Sequence, residues 1–270
     1  MKVDLRDQGT ILLLRDEQEQ QGSDLVPVEL AAAEPELSAT SHHTQVLFRK
    51  ERSVDPRALT AAALKTAKNR GVDFSSGDPV TAVNLSDDHV SGVTTAKTSF
   101  LAEKVVNCAG AWSGQIGPHT FPTHPVKGQM LCLAMPSRTL LKHVIRSPKA
   151  YLIPRSDGRL LVGATVEEAG FDKRTVPETI QRLHRAAVGL VPKLAGAKIL
   201  EDWAGLRPGT PDALPILGAS ATPGYYVATG HFRDGILLAP ITAQVMSLLI
   251  TGERPACDLS AFSPSRFSRA

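Results

Sequence analysis

The chain has 270 residues, 42% of them hydrophobic, and a formal net charge of +3. That is core enough for one large domain or two modest ones, and the scattered, nearly balanced charge excludes a nucleic-acid binder that works through a basic face. Three cysteines (Cys108, Cys132, Cys257) and no C-x-x-C pair exclude a disulfide framework and a zinc finger, and suit a reducing, cytoplasmic setting.

Residues 9–14 predict a strand, preceded by no pattern that reads as a signal peptide, because Asp4, Arg6, Asp7 and Arg15 surround the apolar run. Residues 16–21 predict a short polar helix, and 25–36 form an apolar, Ala-rich stretch broken at Pro35. Asp55-Pro56 predicts a helix start, since Asp caps and Pro is preorganised at the first helical position. Leu59, Ala62, Ala63, Leu64 and Ala67 then recur at helical spacing, and Gly71 ends the helix. Strands are predicted at 72–74, 80–85, 90–95 and 100–108, the last three forming a meander that ends in the buried run Val105-Val106-Asn107-Cys108.

Ala109-Gly110-Ala111 is a tight turn, and Trp112 and Ser113 open a short helix. His119 and His124 sit in a Pro-rich loop with no nearby acidic or thiol partner, and read as surface polar residues rather than metal ligands. A strand at 125–133 precedes a hairpin, 150–154 with 159–164, around Ser156-Asp157-Gly158. Thr175 caps a helix whose core face is Ile180, Leu183, Ala187 and Leu190, stopped by Gly189 and Pro192. A strand at 199–206 gives way to a loop at 207–212, then to strands at 215–217 and 225–228 and a Gly-flanked loop at 229–235. The final helix is expected from about residue 240 to 250, followed by a polar tail beyond Leu259. The most apolar stretch, 236–250, is shorter than the ~20 residues a bilayer span needs, so no membrane span is expected.

Three segments carry candidate chemistry. Val105-Val106-Asn107-Cys108-Ala109-Gly110-Ala111-Trp112-Ser113 is a buried strand leading into small residues, which lets backbone approach a ligand. In Trp203-Ala204-Gly205-Leu206-Arg207-Pro208 an Arg leaves the end of a strand, where a guanidinium can pair a carboxylate in a two-pronged grip. Gly230-His231-Phe232-Arg233-Asp234-Gly235-Ile236 joins a strand to an apolar helix, whose N–H groups and dipole can face an electron-rich ligand edge. Taken singly, each reads as readily as an ordinary connection or a surface Arg; together and in this order they are far more specific.

Together they resemble the amino-acid-oxidase family of FAD-dependent flavoproteins, with glycine oxidase and its relatives most similar. The likeness extends through Gly9-Thr10-Ile11-Leu12-Leu13, Val54-Asp55-Pro56-Arg57-Ala58-Leu59, Pro125-Val126-Lys127-Gly128-Gln129-Met130, Tyr151-Leu152-Ile153-Pro154-Arg155 and Gly163-Ala164-Thr165. It closes with Gly205-Leu206-Arg207-Pro208-Gly209-Thr210 and the run from Gly230 to Pro240. The resemblance implies that Arg207 grips the substrate carboxylate, that Tyr151 supports it by a hydrogen bond, and that Arg233 lies beside substrate and flavin. It places His231, Phe232, Arg233, Asp234, Gly235, Ile236 and Leu237 along the flavin ring, Val80 near the adenine end, and Ala109, Gly110, Trp112 and Gly205 close to the cofactor.

The implied activity is oxidation of the CH–NH bond of glycine or another small D-amino acid by hydride transfer to flavin. Dioxygen is the implied acceptor and peroxide the product, in a role that can serve thiamine biosynthesis. Two alternatives stay open: a non-catalytic relative that binds small carboxylates without flavin, and a dehydrogenase with another acceptor.

The family begins with a strand, a G-x-G-x-x-G turn and a helix, and no G-x-G-x-x-G occurs in these 270 residues. The expectation is therefore an N-terminally truncated chain lacking at least one βαβ unit of ~30 residues. A homo-oligomer, or a partner supplying that unit, is left open. The expected fold class is α/β: a partial FAD-binding, Rossmann-like domain (residues 53–117 and 206–258) interleaved with a mainly antiparallel-sheet substrate domain (1–52 and 118–205), in the manner of glutathione-reductase-type flavoproteins, with a tail at 259–270.

Overall fold

The computed structural model describes residue 3 and residues 5–14, 24–37 and 45–267. The short helix expected at 16–21 lies outside the described residues. In chain order the strands begin with β1 (Leu5–Arg6), β2 (Thr10–Leu14) and β3 (Leu25–Pro27), followed by a single helical turn, α1 (Leu30–Ala33), and by β4 (Gln45–Arg49) and β5 (Ser53–Val54). Helix α2 (Pro56–Asn69) starts as the sequence dictates: the Asp55 carboxylate accepts from the backbone N–H groups of Arg57 and Ala58, with Pro56 at the first helical position.

Three strands follow, β6 (Val80–Ser86), β7 (His89–Thr95) and β8 (Ser99–Leu101), then β9 (Val105–Asn107) and a 3-10 turn, Gly110–Gln115. Beyond them come β10 (His124–Ala134), β11 (Val144–Arg146), β12 (Tyr151–Pro154), β13 (Arg159–Gly163) and helix α3 (Pro177–Leu190). The last elements are β14 (Ile199–Gly209), β15 (Ile216–Ala219), β16 (Tyr225–Thr229) and helix α4 (Gly235–Thr251).

Contacts divide the chain into two compact units. The first holds Met1–Gly71, Gly128–Val166 and Lys173–Gly205. Its framework is an eight-stranded sheet ordered β14-β10-β13-β12-β11-β2-β4-β3. Most neighbours are antiparallel, and β11 and β2 pair in parallel. Leu131, Leu133, Ile145, Leu152 and Leu160 on this sheet are fully buried, and Leu183 and Ala187 of α3 are buried with them. Each such aliphatic side chain contributes about 1.5–3 kcal/mol on burial, so the α3 face is what ties that helix to the sheet.

The second unit holds Val72–Lys127, Glu167–Asp172 and Leu206–Ala270. It contains the β6-β7-β8 meander and a three-stranded sheet, β15-β16-β9, in which β16 and β9 run parallel. Its own small core is Val90, Phe121, Ile216, Tyr225 and Val227. The architecture is mixed α/β and mainly sheet, as expected.

Several elements differ in detail from the sequence reading. No strand forms at 72–74. The single strand expected at 100–108 is two: β8 closes the meander and β9 enters another sheet. The backbone at 102–104 separates them, and Leu101 at 92% exposure shows that the first half faces solvent. Helix α3 begins at Pro177 with Val176 as its N-cap, so Thr175 does not cap it, and Gly189 lies inside it. Strand β14 continues through Arg207, Pro208 and Gly209, which the sequence reading assigned to a loop. Helix α4 starts at Gly235, about five residues before Pro240, which is accommodated in its second turn. Residues 260–267, read from the sequence as part of a polar tail, fold into 3-10 turns with Pro264 buried and Arg266 paired to Asp212 at 2.7 Å.

Candidate functional site

The candidate residues concentrate in the second unit, around the C-terminal ends of the parallel strands β9 and β16. A buried polar network fixes these ends. The Asn107 side-chain amide nitrogen reaches the carbonyls of Ser113 (2.9 Å) and Ile116 (3.2 Å) and the Tyr225 hydroxyl (2.8 Å). Its oxygen accepts from the Ala109 N–H at 3.1 Å. Ser113 Oγ donates to Thr229 Oγ1 at 3.0 Å, and that hydroxyl donates to the Gly110 carbonyl at 2.9 Å. One buried asparagine thereby bends the chain from β9 into the 3-10 turn and presents Ala109 and Gly110 beside the end of β16. A side chain built at Gly110 would meet nothing within 4 Å, so the backbone there borders open space.

At the end of β16, Gly230 takes a left-handed φ of +78°, and a Cβ at that position would lie 2.7 Å from the Thr210 methyl. Only glycine satisfies both the dihedral and the close approach. Phe232 is also left-handed, at φ 46°. Its N–H donates to the Pro208 carbonyl at 3.1 Å, which anchors the 230–235 loop beside Arg207. The Arg233 guanidinium lies 5.1 Å from the Phe232 ring centroid, a cation–π distance. His231 bonds Thr242 Oγ1 of α4 at 3.0 Å, and burial pushes its imidazole below the ordinary histidine range, toward the neutral form.

Helix α4 then opens at Gly235. Its first intrahelical bond is Leu238 N to the Asp234 carbonyl, and the Asp234 side chain makes no cap. The N–H groups of Gly235, Ile236 and Leu237 therefore carry the positive end of the helix dipole without an intrahelical partner. Beside them Ile236, Leu237 and Ile241 are exposed at 45%, 77% and 47%. An apolar wall next to bare backbone donors suits a flat, largely apolar ring with an electron-rich edge, so the residues present fit the ring end of a flavin.

Arg207 sits on β14, half-buried, and its Nη1 donates to the Lys127 carbonyl at 3.4 Å. Lys127 itself is 2% exposed on β10 and exchanges backbone bonds with Glu167 at 2.9 and 3.0 Å. Trp112 is half-exposed and stacks obliquely on Phe171, with ring centroids 5.4 Å apart. Arg207, Phe232 and Arg233 are thus brought together, with Ala109 and Gly110 held at the neighbouring strand end. Val80 begins β6 in the meander sheet and is not part of this cluster.

Tyr151 and Gly205 belong to the first unit. Tyr151 opens β12, and its hydroxyl reaches Met130 Sδ at 3.6 Å. It pairs across the ladder with Gly163, where an added Cβ would lie 2.6 Å from the Tyr151 ring, so the glycine makes room for the aromatic side chain. Gly205 lies exposed near the end of β14. The sequence reading missed Ser113, Tyr225 and Thr229 as the supports of the strand ends. A polar Asn107 within an otherwise apolar strand was the available signal. Among the described residues, no group of three or more His, Cys, Asp or Glu is placed to hold a metal ion. Nor is any described helix long and apolar enough to cross a membrane.

Comparison with known proteins places this arrangement. The profile of the DAO family, FAD dependent oxidoreductase, matches residues 2–249. The chain is 41% identical over 218 residues to the bifunctional protein ThiO/ThiG of Synechocystis sp., covering 79% of this chain and 33% of that protein. It is 37% identical over 246 residues to the hydrogen cyanide synthase subunit HcnC of Pseudomonas aeruginosa, covering 88% and 58%. The chain therefore spans between a third and three fifths of the length of these curated relatives. Its fold matches the crystal structure of glycine oxidase from Geobacillus kaustophilus with a TM-score of 0.91 and 28% identity, over 99% of this chain and 77% of that one.

Proposed function

Because the chain belongs to the DAO family of FAD-dependent oxidoreductases, we propose that it oxidises the CH–NH bond of glycine or another small D-amino acid, giving the imine and then the oxo acid, with dioxygen reduced to peroxide. The observation that carries this reading is the bond from Phe232 N–H to the Pro208 carbonyl. It joins a guanidinium suited to a carboxylate, Arg207, to a loop that ends in bare helix donors.

FAD, when bound, supplies the two-electron acceptor for the α C–H bond. The loop from His231 to Leu237 would hold its ring, with the first N–H groups of α4 favouring negative charge at the ring edge. Ala109, Gly110, Trp112 and Gly205 would border the cofactor, and Val80 its adenine end. Residues 53–117 and 206–258 are assigned to the FAD-binding part, and 1–52 and 118–205 to the substrate part. No G-x-G-x-x-G occurs in the 270 residues, so the residues assigned to the cofactor are those of its ring and adenine ends.

Arg207 would fix the substrate carboxylate through paired N–H donors, Tyr151 would add a hydrogen bond, and Arg233 would flank the amino acid. Holding the substrate in one orientation removes much of the entropic barrier, and an amine that arrives neutral needs no side-chain base. The likeness to the bifunctional protein ThiO/ThiG supports a role in thiamine biosynthesis. A peroxide-coupled assay on FAD-loaded protein with glycine, sarcosine and D-alanine tests the reading. Turnover of at least one of them, lost in Arg207→Ala, is expected, and absence of turnover with all three contradicts it.

A second reading is a dehydrogenase with another electron acceptor. Reduction of an artificial acceptor under anaerobic conditions, with no peroxide formed in air, would select it.

A further inference from the structure

Arg155 follows β12 at the start of the hairpin turn and is only 6% exposed. Among the described residues no carboxylate pairs with it, and its Nε is buried without a hydrogen-bond partner. The two nearby carboxylates are committed elsewhere. Asp157 pairs with Arg159 at 2.8 Å, and Asp55 pairs with Arg159 at 3.2 Å while capping α2.

The short β1–β5 ladder lies against the same hairpin. Arg6 stands opposite Ser53 in that ladder, and its Nη1 donates to the Pro154 carbonyl at 2.6 Å. Two more side chains of this region hold buried polar atoms without partners: the Ser53 hydroxyl, and both the nitrogen and the oxygen of the Gln8 amide. Among the described residues, the charges that act most strongly on Arg155 are two carboxylates (Asp55, Asp157) and two further arginines (Arg6, Arg159). Burial pulls the Arg155 pKa down while Asp55 opposes that change.

Buried guanidinium groups are ordinarily paired, because a lone charge out of water is costly. Arginine has five donors and no acceptor, so only an acceptor can satisfy it. We propose that Arg155, Ser53 and Gln8 form a binding site for a small oxyanion of the carboxylate or phosphate type. The planar guanidinium edge matches two oxygens of such an anion. The Ser53 hydroxyl and the Gln8 amide, buried without partners in the adjoining β1–β5 segment, would supply neutral donors. The site lies wholly in the first unit and does not involve Arg207 or the 230–235 loop.

The test titrates the 270-residue chain with inorganic phosphate and, separately, with acetate, against chloride at constant ionic strength. The readouts are the Arg155 Nε–H resonance and Tm. Saturable movement of that resonance with either anion is expected, together with a Tm gain of roughly 3–6 °C at ten times Kd. The anion that produces it identifies the source, and Arg155→Lys should weaken it at least tenfold. A resonance that stays unmoved by both anions overturns the proposal. So does a Tm gain that persists undiminished in Arg155→Lys. Should the variant fail to fold, the resonance of the unsubstituted protein decides alone.

Discussion

At the scale of single residues, Arg207 carries the heaviest chemical assignment. One of its bonds, to the Lys127 carbonyl, is long, at 3.4 Å, whereas a charge-assisted bond to a carboxylate is shorter and stronger. Arg207→Ala should lower kcat/KM for the amino acid by about 10- to 150-fold, the worth of hydrogen bonds to a charged group. Steady-state kinetics measure this, and a loss under threefold would remove Arg207 from the substrate-binding role. Asn107 tests the scaffold instead. Removing its amide takes a donor from the Ser113 carbonyl and the Tyr225 hydroxyl, while the Ile116 carbonyl keeps the Tyr225 O–H at 2.8 Å, so Asn107→Ala should cost about 2–4 kcal/mol in chemical denaturation. A cost below 1 kcal/mol would show that the network does not hold the strand ends.

At the scale of elements, helix α2 gives a pH prediction with a definite sign. Burial alone would raise the Asp55 carboxyl. The N–H bonds from Ala58 and Arg57, together with the charges of Arg155 and Arg159, outweigh burial and hold it below the usual range. The depressed group adds stability above its unfolded pKa of about 3.9, and that contribution is lost as pH falls through the lower folded value. Asp55→Ala should therefore cost about 1 kcal/mol at neutral pH, the usual worth of an N-cap, and the difference from the parent should vanish in acid. A difference in Tm that persists unchanged at low pH would contradict this. Helix α2 was legible because its cap, proline start and spacing are all local. Strand β14 was harder: Pro208 reads as a loop signal, yet it occupies a strand position whose carbonyl serves the Phe232 N–H. The start of α4 was obscured in the same way by Pro240, which local reasoning takes as a boundary although it fits the second turn. The split of 100–108 into two strands depends on which sheet each half joins, and only long-range pairing decides that.

At the scale of the whole molecule, the candidate site was legible as an ordered set of segments before it was legible as a place. Residues as distant in sequence as Gly110 and Thr229 meet through a hydrogen bond, and Pro208 and Phe232 through another. Spacing alone states neither. The reading rests on that convergence next to an apolar helix start, which is where a flavin ring would be held. Gly230→Ala, which introduces a clash and a strained φ, should destabilise the loop by about 1–3 kcal/mol and weaken FAD affinity more than it lowers global stability. FAD titration beside thermal melting separates the two effects, and unchanged affinity would detach the loop from the cofactor. The most direct measurement of the central claim is the flavin content of the purified protein. The account predicts a yellow protein that holds or takes up FAD near one per chain and is bleached by glycine or a small D-amino acid in the absence of air. A protein that stays colourless after incubation with excess FAD would contradict it.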